Sequence, residues 1–254
     1  MDKVDINKNE IPPEHAGAIT SFCESLIILH SKNLISVAVY GSAVTSNFVP
    51  KISNINIVCV FNELKMETMN NSLRVIKQAK KNNIVAPLFL TLDNIRSSLD
   101  TFPMEFLEIK ENHRTVYGQK IFSQLDIPKE NLRIQCEQQL KSQLVRLRQM
   151  YLEHGNDKKA IKSALITSFN STFAIFRSLL RLAGVPVPEL NEEVILKVNN
   201  TYSFDGQVFS DLLKDKKKLD KVVWRECDDI FAEYLLQLEV LANRVDQMKV
   251  EGHS

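Results

Sequence analysis

The chain has 254 residues, enough to bury one large core or two modest ones. Its 44% hydrophobic and 25% charged residues exclude a disordered chain, and its net charge of +1 argues against a broad electrostatic surface for nucleic acid or lipid. Four scattered cysteines (Cys23, Cys59, Cys136, Cys227) lack any C-x-x-C spacing, which argues against both a zinc site and a disulfide framework. The N-terminal MDKVDINKNEIPPEH has no basic segment leading into an apolar one, and no apolar run approaches the roughly 20 residues of a membrane span. The expectation is a cytoplasmic protein with no membrane partner, nucleic acid not being an expected partner either.

In chain order, residues 14–33 place Ile19, Phe22, Cys23, Leu26, Ile27 and Leu29 at helical spacing. LISVAVY (34–40) is a β-branched run ending at Gly41 and reads as a buried strand; INIVCVF (55–61) reads as the next. Residues 64–82 are helical, with Leu73 and Ile76 expected inward and a lysine-rich end that suits the helix dipole. APLFLTL (86–92) is expected as a third strand and EFLEIK (105–110) as a fourth, with HRTVYG (113–118) continuing or following it.

The texture changes after Pro128. One helical pattern covers 129–154, and a second covers about 157–183 before Gly184, Pro186 and Pro188 stop it. Shorter helices are expected near 189–199 and 205–215, then a long one over about 219–249 carrying Trp224, Phe231, Leu235, Leu238 and Leu241. KDKKKLDK (214–221) reads as a solvated charge run, and Trp224 with the aromatics of 169–176 reads as core packing. The expected architecture is α+β: a mixed sheet domain over 1–127, then an all-α helical bundle over 128–254.

The chemistry concentrates in VYGSAVTSNFVPKISNINIVCV (39–60). A strand runs into Gly41-Ser42, and the next strand opens with Asn54-Ile55-Asn56, whose alternating side chains share a face. Helix, strand, Gly-Ser, loop, then a strand with alternate polar residues resembles the nucleotidyltransferase fold of the DNA polymerase beta superfamily. PLFLTLDNI (87–95), DTFPMEFLEIKENHRTVYGQ (100–119) and the helices from LRIQCEQQLKSQLVRLRQMYLEH extend the resemblance to the bacterial aminoglycoside-nucleotidyltransferase type over most of the chain.

That resemblance implies a turn at Gly41 and Ser42 that binds triphosphate oxygens, and carboxylates that hold two Mg²⁺ ions at positions 54 and 56 and on a later strand. This sequence has Asn54 and Asn56 where the family has Asp-x-Asp, and Leu88 or a neighbour where the third aspartate opens its strand. An amide keeps the carboxylate's shape and deletes its charge, so the implied metal site is neutralised. The resemblance therefore implies a nucleotidyltransferase scaffold, impaired or inactive in catalysis, that binds a nucleotide or a partner in a cleft between the domains. Two alternatives remain open: an active metal-dependent enzyme transferring a nucleoside monophosphate to a small molecule or protein, and a helical interaction module with a vestigial cleft. No cofactor is expected, or Mg²⁺ if the site is active; a nucleoside triphosphate, a protein partner and a second copy of the chain are the candidate partners.

Glu105 has two readings, a surviving catalytic-type acid or a carboxylate paired with a lysine or arginine, the pair being favoured. On a strand it would share a face with Leu107 and Ile109. Asp93, Asp100 and Glu108 read as cap or surface residues. Arg148 and His154 satisfy the loose Arg-x(4–6)-His spacing of helical RNase domains, but both also suit the end of a helix, and chance is the favoured account. His15, His30, His113 and His253 form no ligand spacing.

Overall fold

Two β-branched runs make the centre of a sheet. Leu34–Tyr40 forms β1 and Asn56–Phe61 forms β2, paired antiparallel from Leu34 opposite Phe61 to Tyr40 opposite Asn56. Leu88–Thr91 (β3) adds parallel to β2, and His113–Gly118 (β4) adds antiparallel to β1, so the mixed sheet runs β3-β2-β1-β4. The computed structural model of the chain describes residues 6–7, 10–11, 13–45, 53–217 and 227–249. It divides into two compact units, Met1–Ile127 and Pro128–Ser254.

In the first unit the two faces of the sheet bury different sets of side chains, as the alternation of a strand requires. One face carries Ile55, Ile57, Cys59 and Phe61 into a core with α1 (Ala16–His30) and α2 (Met66–Ala79). The other carries Val58 and Val60 against Ile95 of α3 (Leu92–Ser98) and Phe106 and Ile109 of α4 (Pro103–Glu111).

Three expectations need correction here. Residues 105–110 are not a strand but most of α4: Pro103 sits at the first helical position, and Phe106 and Ile109 bury one helical stripe. Strand β3 stops at Thr91 because Thr91 and Asn94 form a reciprocal capping box that starts α3 at Leu92. In α2, Leu73 is 61% exposed, whereas Thr68, Ser72 and Ala79 face inward and Ile76 is half-buried. The inward face mixes Thr68 and Ser72 with Ala79, Val75 and Ile76, and Ser72 there meets His30. Ser72 Oγ donates to Thr68 O (2.8 Å) and lies 2.8 Å from His30 Nε2, so the imidazole Nε2–H must be the donor in that second bond.

In the second unit α5 (Lys129–His154) and α6 (Lys158–Leu182) form a helical hairpin, with α9 (Cys227–Asp246) packed on α5. Asp157 caps α6 by accepting from the Lys159 and Ala160 amides at 2.9 and 3.2 Å. Gly184, at φ +68°, ends it: Val185 N–H donates to Leu180 O and Gly184 N–H to Arg181 O, the pair of bonds of a Schellman motif. Shorter helices α7 (Asn191–Tyr202) and α8 (Gln207–Lys216) complete the bundle. Phe176 is fully buried among Phe173, Phe204 and Phe209. The buried stripe of α9 runs Phe231, Tyr234, Leu238, Leu241 and Val245, with Leu235 only half-buried. Trp224 and part of the 214–221 charge run lie outside the described residues. The architecture is α+β, a mixed sheet unit followed by a helical one.

Candidate functional site

The site is built where β1 ends. Gly41 takes φ +73°, a left-handed conformation that an L side chain adopts only with strain, and Gly41–Val44 then turns as a short 3₁₀ helix. A Cβ placed on Gly41 would lie 3.2 Å from Asn56 Nδ2, so the Asn56 amide rests against the glycine. The structure thus brings Gly41 and Asn56 together. Gly41 N–H, which a phosphate-binding turn would offer to a ligand, instead donates to Asn112 O at 2.9 Å. Asn112 Nδ2 in turn donates to Glu108 Oε1 at 3.0 Å. Ser42 is half-buried, and its carbonyl accepts from both the Thr45 amide (3.2 Å) and the Thr45 hydroxyl (3.3 Å).

Asn54 is exposed and precedes β2; Ile55, between the two asparagines, is buried and bridges to Ile84. Asn56 is half-buried and lies on the face of Val58, with Tyr40 opposite it on β1. Neither asparagine side chain has a hydrogen-bond partner among the described residues. Leu88 opens β3 opposite Val58, placing it on that same face, and it is 43% exposed. Glu105 is not on the sheet at all. It occupies the exposed side of the first turn of α4, while Phe106 and Ile109 of that helix pack inward, so the expected sharing of a strand face with Leu107 and Ile109 does not occur. Among the described residues no group of three or more His, Cys, Asp or Glu is placed to hold a metal ion.

Two further residues join this face: Tyr40, which the sequence did not single out, and His113, read there only as forming no ligand spacing. Tyr40 faces Asn56 on one side and His113 of β4 on the other, making a cross-strand row of amide, phenol and imidazole. Burial pushes the Tyr40 phenol above its ordinary pKa, which keeps it a neutral hydroxyl. His113 stacks edge-on against Phe122, and its Nδ1 lies 3.1 Å from Lys110 O. A carbonyl only accepts, so Nδ1 carries a proton, which in the neutral imidazole leaves Nε2 as the acceptor. Thr115, opposite Ala38 on this face, is 7% exposed, and its hydroxyl has no partner. The available signal was positional: Tyr40 immediately precedes the glycine, and His113 opens the strand that flanks it.

Arg148 and His154 belong to the second unit. Six residues on a helix span about 600°, so the two side chains leave α5 in different directions. Arg148 pairs with Glu239 at 3.1 Å, and His154 lies 3.8 Å from Glu153. His154 borders an open depression of about 570 Å³ with Tyr151, Asp157 and Asp228. The Tyr151 hydroxyl donates to Asp228 Oδ1 there at 3.2 Å, and that carboxylate's charge raises the phenol's pKa.

No protein-family model matches the chain, and no curated protein matches it. Among solved structures it is similar to spectinomycin adenyltransferase AAD(9) from Enterococcus faecialis, solved with ATP and spectinomycin. The two share 14% identity with a TM-score of 0.54, over 92% of this chain and 99% of that one. The fold is nucleotidyltransferase-like. Correspondence over nearly the whole of both chains means that the helical unit as well as the sheet belongs to the likeness. No helix among the described residues is long and apolar enough to cross a membrane.

Proposed function

We propose that this chain is a nucleotidyltransferase-fold protein that has lost metal-dependent nucleotidyl transfer and retains a metal-independent nucleotide site at the β1–β2 end of its sheet. The observation that carries the reading is the Asn56 amide seated against Gly41, in the position where the fold would bring a metal-bound triphosphate. Mg²⁺ is small, hard and slow to shed water, and it takes carboxylate oxygens. Two amides (Asn54, Asn56) and a leucine (Leu88) do not fit it. Losing the metal removes several kcal/mol of transition-state stabilisation, roughly 10³-fold or more in rate. The four cysteines are free and buried, which suits a reducing, cytoplasmic setting.

Label transfer from α-labelled triphosphates to protein and small-molecule acceptors tests the reading, with and without Mg²⁺. No transfer above background is expected. Robust Mg²⁺-dependent turnover that survives Asn54→Ala and Asn56→Ala places catalysis elsewhere and overturns it. The double variant Asn54→Asp/Asn56→Asp is expected to fold as the parent does, the volumes being matched, and to gain Mg²⁺ affinity measurable by calorimetry.

A further inference from the structure

The face that carries Asn56 has an unusual charge pattern for a phosphate site. Its positions on the four strands, Asn56 and Val58, Leu88 and Leu90, Ala38 and Tyr40, His113 and Thr115, include no lysine, arginine, aspartate or glutamate. The Gly41 N–H is already bonded to Asn112 O, and Asn112 is bonded in turn to a carboxylate, that of Glu108. Lys110, on the same helix, donates to Leu125 O. Among the described residues these strand positions supply no charge to offset a phosphate's, and each added phosphate brings more of it.

Its neutral hydrogen-bonding capacity, by contrast, is unused. The Asn56 amide donates and accepts, the Tyr40 hydroxyl does both, and His113 Nε2 accepts; none of these has a side-chain partner among the described residues. The buried Thr115 hydroxyl, two residues along β4 from His113, is a fourth unmatched group. Alternating donors and acceptors beside an exposed leucine suit a flat heterocycle with a polar edge and a sugar with hydroxyls.

We propose that the cross-strand row Asn56–Tyr40–His113 receives an uncharged nucleoside, base and ribose, in preference to the corresponding triphosphate. The proposal rests on the metal-independent nucleotide site argued above and specifies its ligand class. The ribose hydroxyl donates to His113 Nε2, and the base edge is read by Asn56 and Tyr40.

Calorimetric titration of the full chain with adenosine, AMP, ADP and ATP, each with and without Mg²⁺, tests it, repeated with the guanosine, cytidine and uridine series. The expected result is tightest binding for a nucleoside, a several-fold loss with each added phosphate, and no response to Mg²⁺. His113→Ala and Tyr40→Phe should each weaken the nucleoside several-fold, with circular dichroism confirming the fold. Asn56→Asp, which keeps volume and adds charge, should weaken the monophosphate more than the nucleoside and covers the case in which an alanine variant misfolds. Tighter, Mg²⁺-independent binding of ATP overturns the nucleoside preference and leaves the metal-independent site standing. Mg²⁺-dependent binding, or no binding by any member of the four series, overturns both.

Discussion

A buried polar cluster in the helical unit and the Asn56 face of the sheet unit treat their polar side chains in opposite ways. In the helical unit, Gln143 Oε1 accepts from the Ser168 and Thr172 hydroxyls at 3.1 Å each, and both hydroxyls lie within 3.1 Å of Tyr234 Oη. Gln143 Nε2 donates to Ser171 Oγ at 3.0 Å, closing the set. In the sheet unit, Asn56 and Tyr40 present side-chain donors and acceptors with no partner among the described residues, and so does Thr115. A saturated network fixes the register of packed helices; an unsaturated one leaves hydrogen-bonding capacity for something that arrives. The contrast assigns an architectural role to the first and a recognition role to the second.

The largest effect should come from breaking the saturated network. Gln143→Leu keeps bulk but removes the acceptor of the buried Ser168 and Thr172 hydroxyls and the donor to Ser171 Oγ. Unsatisfied buried groups cost about 1–3 kcal/mol each, so a loss of roughly 2–4 kcal/mol is expected in chemical denaturation. A loss below about 0.5 kcal/mol, the range of ordinary surface substitutions, would remove the architectural half of the comparison.

Next in size is Gly41→Ala. Left-handed backbone costs an L residue roughly 1–2 kcal/mol. The added Cβ meets Asn56 Nδ2 at 3.2 Å, but that atom is the end of a flexible side chain and can give way. The expected loss is therefore almost all conformational, about 1–2 kcal/mol by denaturation. A double-mutant cycle with Asn56→Ala should show little coupling in stability; strong coupling would mean that the amide is held rigidly against the turn.

What the sequence made legible, and what it hid, follows the same division. Strands β1 and β2 and the long helices α5 and α6 announce themselves through β-branched runs and unbroken 3.6-residue periodicity, because there burial is apolar and local. Helix α4 was hidden because EFLEIK is too short to show a helical period, and only Pro103 marks its start. The inner face of α2 was hidden because Ser72 and Thr68 point inward to serve His30, a partner far away in sequence. At the site, Gly41 and Asn56 were readable as a spaced pair. Tyr40 and His113 were not, because they meet only through the β1–β4 register, which a bulge between Val37 and Ala38 sets.

A smaller, graded effect belongs to His30, a buried polar group of the sheet unit that is partnered by Ser72. Burial lowers its pKa below the ordinary histidine value. The unfolded chain therefore takes up the proton first as pH falls, so this contribution is complete above about pH 6.5. It declines as pH drops through that value toward the folded pKa. Denaturation midpoints measured from pH 8 to pH 5 should fall on the acid side, and His30→Gln, which cannot titrate, should flatten that part of the profile. An unchanged slope in the variant would assign the pH dependence to other groups.

The smallest expected change carries the sharpest sign. Thr115→Val replaces an unpartnered buried hydroxyl with a methyl of nearly the same shape. Where a hydroxyl is satisfied, as at Thr172, the same replacement discards hydrogen bonds and should cost about 1 kcal/mol. At Thr115 it discards none, and it relieves the desolvation of a polar atom 7% exposed in its residue. Thr115→Val should therefore leave the unliganded protein unchanged or more stable by up to about 1 kcal/mol, while Thr172→Val destabilises it. The pair of variants, denatured side by side, measures the difference between the two units directly. Equal losses at both positions would mean that the Thr115 hydroxyl is already satisfied in solution, and the sheet face would then lose one of its unmatched groups.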